Sequence, residues 1–77
     1  MRVVVVARTR DPRRQAEALR AALGLTLRGA HVEVVLEAPL ASPLAERAAA
    51  TLRAFDHPVG VPLAEALARA DRVEVWT

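Results

Sequence analysis

Several residue types that carry chemistry are missing from this chain. It has no Cys, Lys, Tyr, Asn or Ile, and Phe55 and Trp76 are its only large aromatics. Without cysteine there is no disulfide, no thiolate nucleophile, no persulfide carrier and no cysteine zinc site. An excess of one charge is missing too, since 11 basic residues, all Arg, stand against 9 acids for a net charge of +2. The isoelectric point near 11.0 therefore reflects absent Lys, Tyr and Cys buffering groups rather than a strongly positive field. The longest apolar run, Val3 to Ala7, falls far below the ~20 residues that span a bilayer. Arg2 ahead of that run, with no small-residue cleavage pattern, does not read as a secretion signal. The expectation is a soluble cytoplasmic domain with no membrane partner.

What is present is aliphatic: 17 Ala, 11 Val and 10 Leu among 77 residues. That is one small domain, residues 1–77, with a thin core. A chain this short buries only about 60–65% of its unfolded surface. A partner subunit would widen the stability margin, which makes a homo-oligomer the expected state.

Arg2-Val3-Val4-Val5-Val6-Ala7 is a β-branched run without polar alternation, as expected of a strand buried on both faces at the centre of a parallel sheet. Asp11-Pro12 combines an N-cap residue with the one helical position where proline costs nothing. Ala16, Leu19, Leu23, Thr26 and Leu27 then form one stripe of a helix over 12–28, closed by Gly29. Gly24 inside that helix points to close packing on the sheet. His31 to Leu36 alternates like an edge strand, with Val32, Val34 and Leu36 on one face. Ser42-Pro43 repeats the capped start for a helix over 43–54, with Leu44, Ala48, Leu52 and Phe55 inward. Asp56 to Val61 is a connector with at most a rudimentary strand. Pro62 opens a third helix with Leu63, Leu67 and Ala70 inward, and Arg72 to Trp76 is a second edge strand. The order β-α-β-α-α-β implies an α/β fold: a small three-layer parallel sheet in which the apolar strand lies between the alternating ones, strand order 2-1-3.

The Val-rich first strand, the helix carrying Ala18-Leu19-Arg20 through Gly29, and Ala30-His31-Val32-Glu33-Val34-Val35-Leu36 resemble the first half of DsrE-like sulfur-relay proteins. Ala70-Asp71-Arg72-Val73-Glu74-Val75-Trp76 is similar to that family's terminal strand. The likeness covers residues 1–37 and 63–76. It implies the three-layer fold and a tendency to assemble, either with itself or with related subunits. Active members of the family carry a sulfur-accepting cysteine and have a longer middle with five strands. The connector here, Phe55 through Pro62, has no cysteine, so the resemblance implies a non-catalytic, assembling domain and no cofactor.

One local conflict suggests a ligand. Arg8, Arg10, Arg13 and Arg14 surround Thr9 at the start of a helix whose dipole is already positive there, in the loop after the central strand. Arginine forks and free helix N–H groups would suit a phosphate, sulfate or nucleotide. No glycine is available for a P-loop or dinucleotide cradle. The plainer alternative is solvated arginine, with Arg13 and Arg20 paired to Glu17.

Other candidates are weaker. His31 and Glu33 share a strand face but lack a third metal ligand, which leaves capping or surface roles. Asp56-His57 offers a base without a nucleophile, and Ser42 reads as an N-cap. Trp76 either tucks under a neighbouring helix or packs on another subunit. Glu33 and Glu74 either blunt the sheet edges or meet arginines across an interface. Acids interleaved with the arginines, and almost no aromatics, make a nucleic-acid partner unexpected.

Overall fold

A computed structural model describes all residues from 1 to 77. Its elements are β1 (Arg2–Ala7), α1 (Pro12–Thr26), β2 (His31–Leu36), α2 (Pro43–Ala54), α3 (Leu63–Arg69) and β3 (Arg72–Trp76). The sheet is parallel with order β2-β1-β3, so the uninterrupted valines of β1 lie at its centre, as their pattern requires. Val3 to Ala7 are all buried.

Alternate β1 side chains feed two cores. Val3, Val5 and Ala7 pack with Val32, Val34 and the inner faces of α1 and α2; Val4 and Val6 pack with Val35 and Ala66 of α3. The chain thus steps outward from β1 to β2 beneath α1, then beneath α2 to Val59, which forms an isolated parallel bridge with Val34. It returns over the opposite face through α3 to reach β3. Opposite directions of travel on opposite faces are what one hand of crossover demands.

The proline-opened helices begin as their caps specify. The Asp11 side chain accepts the Arg13 N–H, and Ser42 Oγ accepts the Ala45 N–H at 3.1 Å. Their inner faces, however, are smaller than expected. In α1 the buried residues are Gln15, Ala16, Ala18, Leu19 and Ala22. The helix ends at Thr26, and Leu27, expected inward, is 89% exposed. Gly24 is exposed, and a Cβ added there would meet nothing within 4 Å, so close packing does not explain it. In α2 the inward residues are Ala45, Ala48, Ala49 and Leu52, while Leu44 and Phe55 point outward. Alanine at the α1–α2 contact lets the helix axes approach closely, and this geometry rotates the bulky residues out. Only Ala66 of α3 is buried; Leu63 and Leu67 are largely exposed.

The two outer strands also differ from the expectation of two edges. On β2 the connector covers the rim: the Val34 N–H donates to the Pro58 carbonyl at 2.9 Å, and the Gly60 N–H donates to the Val34 carbonyl at 2.8 Å. The Val32 N–H donates to His57 Nδ1 at 3.1 Å. Asp56, with φ 64, makes the left-handed turn that aims His57 at that strand. β3 has no such cover.

Candidate functional site

The chain reverses its direction of travel across the sheet between β1 and β3, and the carboxyl ends of these strands are the usual ligand position in open α/β sheets. The loop Arg8–Asp11 occupies it. The Arg8 and Thr9 N–H groups both donate to the Trp76 carbonyl, at 2.8 and 3.1 Å, which ties the loop to β3. Thr9, nearly buried, accepts the Asp11 N–H on Oγ1 at 3.0 Å, and Asp11 Oδ1 accepts the Arg13 N–H at 3.1 Å. The amides of Arg8, Thr9 and Asp11 are thus engaged, and that of Arg10 is not. The Asp11 carboxylate itself holds the positive start of α1.

The four guanidiniums divide into two pairs. Arg8 pairs with Glu37 at 3.3 Å. Arg14 donates from Nε to the Thr77 carbonyl at 3.3 Å and stacks over the Trp76 ring, 5.0 Å from its centroid. Arg10 and Arg13 are exposed and have no ion pair. The alternative pairing of Arg13 and Arg20 with Glu17 does not form; these three side chains line a shallow depression with Ser42 between the starts of α1 and α2. Trp76 is half-buried against the main core. Glu74 pairs with Arg72 of its own strand at 3.2 Å.

Beside this loop, β3 presents both a free rim and an uncovered face. α3 packs over β1 and β2, so Val73 and Val75, which sit in register with Val4 and Val6 on that face, remain 42% and 55% exposed. The Trp76 carbonyl points towards β1. By the alternation of strand backbones, Val73 and Val75 direct their N–H and C=O groups to the outer rim.

Glu33 corrects the expectation of a surface or edge role. It is buried at 3% exposure beneath α3, where Arg69 donates to both of its oxygens. The Arg69 hydrogen bonds hold the Glu33 carboxyl below its ordinary pKa, against the opposing effect of burial; the charges of Arg69, His31 and Arg2 act in the same direction as the hydrogen bonds. This pair is a structural staple, and no group of three or more ligating side chains gathers near it or elsewhere. His57 spends its Nδ1 lone pair on the β2 backbone rather than on a proton-transfer partner.

Gln15 is a buried polar position that periodicity did not single out. Fully buried, it donates to the Ala38 and Pro39 carbonyls at 3.3 and 2.9 Å and accepts the Ala41 N–H at 2.9 Å, clamping the β2–α2 loop. The available signal is a lone amide on the stripe of Ala18, Leu19 and Ala22. Comparison with protein-family models, curated proteins and solved structures finds no match.

Proposed function

We propose that this chain is a non-catalytic, DsrE-like α/β domain that works by assembly, with itself or as a subunit of a sulfur-relay type complex. The observation that carries this reading is the contrast between the two sheet rims. Four hydrogen bonds between β2 and the connector close the β2 rim, whereas β3 keeps outward backbone groups next to half-exposed Val73 and Val75. An open rim with apolar flanks is a template for another chain. The absent cysteine assigns any sulfur chemistry to a partner. Light scattering at micromolar concentration tests the reading: a mass above one chain supports it and a monomer opposes it. Co-purification with a cysteine-bearing DsrE-like subunit distinguishes the mixed complex from self-assembly.

A second reading, a small-anion or nucleotide module using Arg8, Thr9, Arg10, Arg13 and Arg14, is favoured by one observation. Arg10 and Arg13 stand without acidic partners near the carboxyl end of β1. The engaged amides of Arg8, Thr9 and Asp11 and the Asp11 carboxylate narrow this reading to the arginine side chains and the Arg10 N–H.

A further inference from the structure

We infer that the β3 rim pairs with β3 of a second copy of this chain, antiparallel about a two-fold axis through Val73, with Arg72 of each copy opposite the partner's Glu74. The inference rests on the assembly reading above and names its partner and register.

Identical chains that meet through the same patch must do so about a two-fold axis, and for edge strands this means antiparallel pairing. Only registers that bring Val73 or Val75, whose backbone groups point outward, against outward groups of the other copy make ladder hydrogen bonds. Three central registers meet that condition. One places Glu74 opposite the partner's Glu74, an unfavourable like-charge contact. A second sets Val75 opposite the partner's Val75, which puts Glu74 against the partner's Trp76 and leaves Arg72 past the partner's Thr77, with no ion pair in either place. The third sets Val73 opposite the partner's Val73, where the two exchange both ladder bonds, and puts Val75 opposite the partner's Asp71, whose N–H is already given to the Arg2 carbonyl of its own chain. It brings Arg72 across from the partner's Glu74 at both ends of the contact, so the sequence Arg72-Val73-Glu74 is complementary to its own reverse. The side chains are already placed for it: Arg72 and Glu74 lie on one face, 3.2 Å apart, and Arg72 is 60% exposed. In the pair, four charges of alternating sign form a square on that face. The two exposed Val73 side chains cover each other on the face that α3 leaves open.

This arrangement also explains why assembly stops. The joined sheet has six strands in the order β2-β1-β3-β3-β1-β2, and each end is a β2 rim already closed by His57, Pro58 and Gly60. No free rim remains to propagate a fibre.

Light scattering of the full chain and of charge variants tests the inference, with circular dichroism to check folding. The wild type is expected as a dimer. Arg72→Glu alone and Glu74→Arg alone are each expected to weaken it by at least about tenfold, from the reversal of two cross-strand pairs, and the combined swap is expected to restore it. Hydrogen exchange supplies a readout without substitution: the Val73 amide is slow in the dimer and fast on dilution to monomer. A monomeric wild type overturns the assembly reading and this inference together. An oligomer that ignores both single reversals, with a fast Val73 amide, overturns the β3 register and leaves assembly through another face.

Discussion

Arg69 reaches across 36 residues of sequence to hold both oxygens of Glu33, with Nη2 at 2.6 Å from Oε1 and Nε at 3.0 Å from Oε2. The carboxylate is buried and the guanidinium is partly exposed, so the pair joins the tail of α3 to the floor of the sheet. Removing one partner of such a pair costs far more than the pair itself contributes, because the other charge is left buried. Arg69→Met is therefore expected to lower the melting temperature markedly, and adding Glu33→Leu to recover part of the loss. Calorimetry on the single and double variants checks this, and additive losses would refute it.

The same pair sets a direction for pH. The Glu33 carboxyl is more acidic folded than unfolded, so its contribution is complete above the unfolded value of about 4.3. That contribution is lost as pH falls through the lower folded value. In Arg69→Met, burial without the partner pushes the carboxyl the other way, and protonation then relieves the variant. The stability gap between wild type and Arg69→Met should narrow below about pH 5, as followed by urea titrations at several pH values. A constant gap would assign the loss to packing alone.

Gln15→Leu keeps the volume of the residue but orphans two carbonyls and the Ala41 N–H in the β2–α2 loop. The expected loss is about 2–3 kcal/mol, seen as a drop in melting temperature of roughly 10 °C or more. Gln15→Glu should cost at least as much at neutral pH, because its carboxylate faces the two carbonyl oxygens with no proton to donate and is buried without a cation.

Gly24 sits in an exposed helix interior with room for a methyl group. Gly24→Ala is expected to stabilise the fold by about 0.5–1 kcal/mol. Thermal melts measure this, and a loss would reveal a contact on that face with another molecule.

For the anion reading, phosphate at fixed ionic strength should raise the melting temperature of the wild type. Arg10→Ala combined with Arg13→Ala should abolish the rise. At a hundredfold excess over the dissociation constant the gain is about 2.7 kcal/mol, well within reach of a thermal shift. No shift in the wild type ends this reading.

The strands and caps were legible because their signals are local. Four consecutive valines admit few environments, and Asp11-Pro12 and Ser42-Pro43 mark helix starts by backbone chemistry alone. The sheet order followed from the same pattern. The inner faces of the helices were not legible in the same way. Side-chain size points to Leu44, Phe55, Leu63 and Leu67, but helix packing here is decided by alanines, which read equally well as surface residues. Glu33 was misplaced because the residue that makes its burial tolerable lies in another element. The open β3 rim depends on where α3 settles and on what the connector does to β2, and neither is encoded in β3 itself. The arginine loop was legible as a cluster, yet its hydrogen bonding to Trp76 needed the fold.

Of the three strands, the central one is synthesised before the others and one of its two neighbours after both. Until Arg72 to Trp76 arrive, the valines of β1 have a partner on one side only, and a chain interrupted before that point carries a greasy, half-zipped ribbon. Completion of the sheet therefore waits on the long-range pairing of Val4 with Val73, a topology that slows folding. A nascent or proteolytically clipped molecule lacking β3 is the form most exposed to sticking to its neighbours.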